Sequence, residues 1–329
     1  MRTNPYLAEP LRGRRVLVTG ATGFIGRWVA CGLSAVGAEL WLAARDERKL
    51  EAICDSLEIK GHFLIQDCAK EGSFAELYGQ ANPDIVFNLA GYGVDASERD
   101  ESLARALNAR LVEEIAEVVA CSKGSDWSGL RLVHVGSAAE YGFVEGVLKE
   151  SSQAAPISLY GRSKLAGTMA LSSVRQRTGL RAITARLFTV YGPGEHHGRL
   201  LPSLLQASRT GETVPLTVGQ QQRDFVYVMD VVEGLLRLAS LTATVPPIVN
   251  LATGKLTSVR TFVRCAADVL GLDDSQLQFG AQPGQHDEVQ QGPADPSQLS
   301  RLLGWIPACE LREGIARTLE YETCGVMRT

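Results

Sequence analysis

Arg15-Val16-Leu17-Val18-Thr19-Gly20-Ala21-Thr22-Gly23-Phe24-Ile25-Gly26 is an apolar run of strand character that breaks directly into a glycine-rich turn, and a helical pattern follows from Phe24 to Val36. Glycines spaced GxxGxxG between a strand and a helix each have a separate purpose. Gly20 takes the tight turn, Gly23 lets a ligand approach the backbone, and Gly26 lets the helix pack against the sheet. The first helical amides then face an anion. It is this context, more than the glycine pattern alone, that predicts a dinucleotide pyrophosphate site built from Gly20, Gly23, Phe24, Ile25 and Gly26. The spacing differs from GxGxxG, and the Gly-Lys-Ser/Thr of a P-loop is absent.

Apolar runs recur outward from this turn at residues 40–44, 62–65, 85–88, 132–135 and 181–187, separated by helical patterns such as Phe24–Val36, Ser102–Cys121 and Ser158–Arg177. Short runs that are apolar on both faces, alternating with helices, predict a Rossmann-type doubly wound parallel sheet covered on both sides. After about residue 190 the pattern loosens into Gly- and Pro-rich loops and helices at 200–210, 228–241, 258–270, 296–303 and 311–321. The expected organisation is therefore a cofactor-binding domain over 1–190 and a smaller α/β substrate lobe over 191–329. A strand near 247–251 is expected to return to the main sheet. No repeat or Gly/Ser-rich linker separates the two, which predicts close packing.

The 329 residues are 45% hydrophobic and 21% charged, with 33 basic and 37 acidic side chains for a net charge of −4. That composition describes a globular chain with no basic face for nucleic acid or an anionic membrane. Residues Met1 to Arg15 lack an apolar signal region, and no charge-free apolar stretch of spanning length occurs, so a cytoplasmic protein is expected. Seven cysteines form no CxxC pair and have no His at metal-ligand spacing. They read as reduced, apolar thiols, and no metal is expected.

The end of the second strand distinguishes NAD from NADP, because a carboxylate there binds the ribose 2′-hydroxyl whereas a cation accepts a 2′-phosphate. Ala44 stands where that acid is expected, and Arg45 follows it. A planar guanidinium suits phosphate, so NADPH/NADP is the expected cofactor, with NAD as the alternative.

Tyr160-Gly161-Arg162-Ser163-Lys164 places Tyr160 and Lys164 on one helical face at i, i+4. An ammonium beside a phenol favours the phenolate and makes the Tyr a better acid-base group near neutrality. Ser137 follows the 132–135 strand at the edge where α/β sheets hold ligands.

With these residues assembled, the chain resembles the extended short-chain dehydrogenase/reductase family, in its nucleotide-sugar epimerase, dehydratase and ketoreductase branch. The resemblance runs through Thr19–Gly26, Asn88-Leu89-Ala90-Gly91, Asn108, Ser137 to Tyr141-Gly142, Tyr160–Lys164, Arg186 to Pro193, Arg223 to Val228 and Gly304-Trp305-Ile306-Pro307. It implies that Tyr160 exchanges a proton with a sugar oxygen, that Ser137 hydrogen-bonds the same oxygen, and that Lys164 holds the nicotinamide ribose. It further implies that Asp67 and Cys68 lie near the adenine, that Leu89 and Ala90 line the cofactor cleft, and that Arg223 meets the substrate diphosphate. Thr189 stands where many members carry a substrate-contacting Asn, and Gln282 where an Arg often binds diphosphate. Arg199 and His196 lie in a loop, 194–199, expected to border the sugar, whereas His134 reads as a core histidine.

Sugar 4,6-dehydratases of this family carry Asp-Glu directly after the hydroxyl residue. Here Ala138 and Ala139 occupy those positions, and methyl groups transfer no protons. The expected reaction is therefore NADPH-dependent reduction of a nucleotide-activated 4-keto-(6-deoxy)sugar, with an NAD-dependent nucleotide-sugar 4-epimerase as the alternative. A cofactor-sensing protein without turnover is a third, weaker reading. A homodimer is expected because family members pair the helices near 102–121 and 158–177. The apolar positions Leu103, Leu107, Leu111, Ile115, Val118 and Val119 also exceed what one sheet-facing stripe requires.

Overall fold

A computed structural model describes residues 9–94, 97–123, 125–144, 146–283 and 292–326. Residues 1–8, part of the N-terminal segment read above for a targeting signal, lie outside these. The first six strands are β1 (Arg15–Thr19), β2 (Glu39–Ala44), β3 (His62–Ile65), β4 (Ile85–Asn88), β5 (Leu132–Ser137) and β6 (Ala182–Leu187). Seven more follow: β7 (Thr189–Tyr191), β8 (Val214–Leu216), β9 (Gln222–Arg223), β10 (Phe225–Tyr227), β11 (Ile248–Leu251), β12 (Thr257–Ser258) and β13 (Leu277–Phe279).

A parallel seven-stranded sheet runs in the order β3-β2-β1-β4-β5-β6-β11. Val16, Leu17 and Val18 are wholly buried because β1 lies inside the sheet with helices over both faces. Strand order reverses between β1 and β4, and the crevice at their carboxyl ends is where a doubly wound sheet takes its ligand. β11 pairs with β6 through Ile248 beside Thr184, which ties the second half of the chain into the sheet.

Helices α1 (Phe24–Ala35), α2 (Glu47–Ser56), α3 (Ser73–Ala81), α4 (Glu101–Arg105), α5 (Leu111–Cys121) and α6 (Leu159–Thr178) come first. They are followed by α7 (Leu200–Thr210), α8 (Val228–Ala239), α9 (Val259–Leu270), α10 (Ser297–Leu303) and α11 (Leu311–Val326). The sheet separates two apolar cores. One holds Trp28 and Leu33 of α1, Leu50 of α2 and Leu235 of α8, and continues through residues after 190 such as Leu204 and Phe262. The other holds Phe74 of α3, Ile115 of α5 and Leu171 of α6. Among the described residues no helix is long and apolar enough to cross a membrane.

One helical pattern differs from its reading. The segment expected as a single helix over 102–121 is interrupted by a π-helical turn, Ala106–Arg110, between α4 and α5. The wider turn buries Leu107 and Asn108 side by side, a local break of the kind often found beside functional sites. Asn108 uses it to hold the loop after β4: Nδ2 donates to the Tyr92 carbonyl at 2.7 Å and Oδ1 accepts from the Tyr92 amide at 3.0 Å. Its Nδ2 also reaches Ser163 of α6 at 2.9 Å. The surplus of apolar residues on this segment is largely absorbed within the chain, since Leu107, Leu111, Ile115 and Val119 are all buried in the second core.

Outside that sheet, the second half of the chain pairs β7 with β10, β8 with β13, and β9 with β12. Buried Asp224 fastens it to the sheet. Its carboxylate accepts from the Thr253 amide at 3.0 Å, the Thr253 hydroxyl at 2.7 Å and the Gly254 amide at 2.7 Å, just beyond β11.

Candidate active site

At the carboxyl end of β1 the chain turns at Gly20 with φ +70°. A Cβ there would lie 2.7 Å from the backbone of Leu89 and Ala90, and one at Gly26 would lie 2.0 Å from the Gly20 carbonyl oxygen. Both glycines are therefore demanded by backbone crowding, and Leu89-Ala90 is brought directly against the loop. Gly23 precedes α1 with no side chain capping the helix, so its first amides remain open to an anion. Phe24 and Ile25, half-buried, begin the helix and pack against the first core. A dinucleotide pyrophosphate fits this uncapped, side-chain-free cradle.

A buried polar chain braces the floor. The Thr19 hydroxyl donates to Asn88 at 2.7 Å, and Asn88 Nδ2 lies 3.1 Å from His134 Nδ1. Burial, aided by the nearby Lys164 cation, pushes His134 well below the ordinary histidine range. It is a neutral core residue. At the adenine side Ala44 is buried at the end of β2 and Arg45 emerges into solvent. Asp67 turns inward to cap the Ala69 amide at 3.0 Å. The buried Cys68 thiol is pushed up to about 11 by desolvation and the Asp67 and Glu114 charges, with Arg45 acting in the opposite direction.

Ser137, Tyr160 and Lys164 meet at the end of β5. Ser158 caps α6 by accepting from the Gly161 amide at 3.0 Å, which places Tyr160 and Lys164 on the first turns. The Ser137 hydroxyl accepts from the Ala139 amide at 3.1 Å and lies close enough to the Tyr160 phenol to oppose the rise in its pKa. Beneath it, Glu140 Oε1 accepts from the Ser137 amide at 2.8 Å and Oε2 accepts from Arg186 Nε at 2.8 Å. Both partners of this ion pair are buried, and the Arg186 guanidinium also covers the Tyr141 ring at 4.4 Å. Ser137 is thus held through its backbone by a charge pair that the sequence reading did not identify. Ala138 is buried in the same turn.

The titration of the pair departs from the expectation that Lys164 draws the phenol down. Burial pushes Tyr160 up to about 12, opposed by the Ser137 hydroxyl and Arg199. Lys164, lowered to about 8 by burial, donates to the Val135 carbonyl at 2.6 Å. A phenol placed this way keeps its proton throughout the neutral range and begins as a donor.

A cavity of about 380 Å³ in the second half of the chain is lined by Thr189, Arg199, Arg223 and Gln282, and its wall does not include Ser137, Tyr160 or Lys164. His196 is exposed, outside that wall. Glu195, which sequence reasoning missed, is part of the wall and pairs with Arg199 Nε at 3.4 Å. Residues 195–199 form a loop, so no helical spacing pointed to the pair. Among the described residues no group of three His, Cys, Asp or Glu side chains could hold a metal ion.

Residues 16–252 match the model of the NAD dependent epimerase/dehydratase family. The dTDP-6-deoxy-L-talose 4-dehydrogenase (NAD(P)(+)) of Kitasatospora kifunensis is 33% identical over 314 residues, covering 92% of this chain and 93% of the relative. The UDP-glucose 4-epimerase of Mycolicibacterium smegmatis is 29% identical, covering 93% of this chain and 98% of the relative. Among solved structures, MoeE5 in complex with UDP-glucose and NAD is similar with a TM-score of 0.81 at 28% identity, covering 94% of this chain and 99% of that one.

Proposed function

Because the chain belongs to the NAD dependent epimerase/dehydratase family and is a nucleotide-sugar-modifying enzyme that uses NAD(P), we propose that it reduces a nucleotide-activated 4-keto-6-deoxysugar at carbon 4 with NADPH. The observation that carries this reading is the Ser137–Tyr160–Lys164 cluster followed by the methyl groups of Ala138 and Ala139. It can donate one proton beside a carbonyl, and it lacks the acid and base that elimination of water requires. The relative from Kitasatospora kifunensis, a 4-dehydrogenase, supports the same carbon, since oxidation and reduction there are one reaction in two directions. Ala44 and Arg45 support the 2′-phosphate.

In this proposal Tyr160 gives its phenolic proton to the carbonyl oxygen, and Ser137 orients that oxygen by a second hydrogen bond. The bound nicotinamide supplies the hydride. Lys164 holds the nicotinamide ribose. Gly20, Gly23, Phe24, Ile25 and Gly26 hold the pyrophosphate, Asp67, Cys68, Leu89 and Ala90 border the cofactor, and Thr189, Arg199 and Arg223 border the sugar nucleotide. Residues after about 190 contribute mainly that second wall. The active unit is a homodimer in the cytoplasm, a compartment that suits seven unpaired thiols.

A second reading, an NAD-dependent 4-epimerase, is favoured by the Mycolicibacterium smegmatis relative and by the NAD in the MoeE5 complex. The two separate on net cofactor change. Incubation with NADPH and a panel of dTDP- and UDP-4-keto-6-deoxyhexoses, followed by nicotinamide absorbance, is expected to consume NADPH and yield a 4-hydroxyl product. Interconversion of 4-epimers with no net NADPH loss, by protein purified with bound NAD, would establish the epimerase. Cofactor binding without turnover of either kind would leave a sensing protein.

A further inference from the structure

Glu195 opens a loop whose start is fixed in place. Trp28 Nε1 donates to the Pro193 carbonyl at 2.7 Å, and the Gly194 amide donates to Glu322 Oε1 at 3.3 Å. The Glu195 side chain that follows is only 8% exposed and forms part of the cavity wall with Thr189 and Arg199. One oxygen, Oε1, accepts a long contact of 3.4 Å from Arg199 Nε. The other, Oε2, is buried and has no hydrogen-bond partner among the described residues. A carboxyl oxygen sealed in this way is under-satisfied, and such groups in native proteins point to a ligand or a functional demand.

We propose that Glu195 recognises the sugar of the substrate, its unpartnered oxygen accepting a hydrogen bond from a hexose hydroxyl once that sugar occupies the cavity. The inference rests on the nucleotide-sugar reading above and adds a specificity residue to it. Charge decides which part of the substrate meets this group. A carboxyl group is a poor partner for a diphosphate, which the Arg223 guanidinium suits. Hydroxyls of a pyranose both donate and accept, so they can pair with a carboxyl oxygen in either protonation state. Location agrees, because Glu195 and Arg199 form one stretch of the same cavity wall as Thr189, and the Arg199 charge acts on the Tyr160 phenol. Arg199, with its side chain 40% exposed, is free to turn toward a ligand and release its partner.

Titration calorimetry of the NADPH-loaded protein with dTDP, UDP and a panel of dTDP- and UDP-hexoses tests this without requiring turnover. Removing a hydrogen bond to a charged group changes affinity by roughly 10- to 100-fold. Glu195→Ala should weaken the best sugar nucleotide by that factor, leaving its parent nucleotide diphosphate within about twofold. Glu195→Gln, which keeps an acceptor and loses the charge, should fall between the wild type and Glu195→Ala, and its melting temperature should show that the fold is kept. If both variants bind the sugar nucleotide as the wild type does, or weaken the nucleotide and the sugar nucleotide equally, the assignment is overturned while the nucleotide-sugar reading stands. Wild-type protein that prefers no sugar nucleotide over its parent nucleotide overturns both.

Discussion

Three side chains carry separable consequences. Tyr160 supplies one hydroxyl to the proposed chemistry, so Tyr160→Phe should lower kcat by about 10²–10⁴-fold with NADPH affinity nearly unchanged, measured by steady-state kinetics and cofactor titration. Near wild-type reduction by that variant would show that the proton comes from elsewhere. Arg45 follows Ala44, a residue with no carboxylate, and a charge-assisted pair with phosphate contributes about 1.5–3 kcal/mol. Arg45→Ala is therefore expected to weaken NADPH roughly 10- to 100-fold and leave NADH almost unaffected. Adding Ala44→Asp should tilt preference toward NADH. Unchanged NADPH affinity in Arg45→Ala would shift support to the epimerase. Glu195 couples stability to pH: burial, partly offset by Arg199, pushes its carboxyl up from 4.5 to about 7. Its folded value lies above its unfolded one, so its contribution is fully present below about pH 4.5 and is lost as pH rises through about 7. Glu195→Gln, neutral throughout, should raise the melting temperature more at about pH 8 than at about pH 5, whereas equal shifts would contradict the buried-carboxyl account.

Among the elements, the contact that builds the proposed catalytic cluster is the approach of α6 to the short turn after β5. Gly161 permits it, since a Cβ at that position would lie 2.4 Å from the Ala139 carbonyl oxygen. Gly161→Ala must push the first turn of α6, and Tyr160 with it, away from Ser137. Overpacking of this kind costs about 1–3 kcal/mol. Misplacement of a reacting group by about 1 Å can cost on the order of 10²-fold in rate. Turnover should therefore fall far more than the melting temperature, and a variant that loses stability but keeps kcat would show that the helix entry does not position the tyrosine. The Tyr160–Lys164 spacing was legible from sequence because i, i+4 geometry is local. The π-turn at Ala106–Arg110 was not, because an apolar pattern of helical period continues through it; the demand for the turn comes from Tyr92 and Ser163, on two other segments.

For the whole molecule, the open question of assembly turns on the face shared by α4, the π-turn and α6. The apolar residues that suggested a partner are mostly spent on the chain's own core, but a shallow groove of about 630 Å³ remains between these helices, lined by Arg105, Ala109, Arg110, Glu113, Arg162 and Ala166. Met169 nearby is 63% exposed. Small residues beside charges of both signs suit close helix pairing about a two-fold axis. Light scattering at micromolar concentration should give the mass of a dimer, and Ala166→Glu that of a monomer; a monomeric wild type would remove the dimer from the proposal. The sequence by itself determined the glycine-rich turn, the parallel sheet and the Tyr–Lys spacing, because glycine crowding, strand hydrophobicity and helical period all act between residues near one another in the chain. Only the tertiary structure decided that Glu140 meets Arg186 across 46 residues, that Tyr160 titrates high where a low value was expected, and that Glu195 has an oxygen with no described partner. Desolvation and charge pairing depend on which distant segments close over a group, and no local pattern in the chain records that.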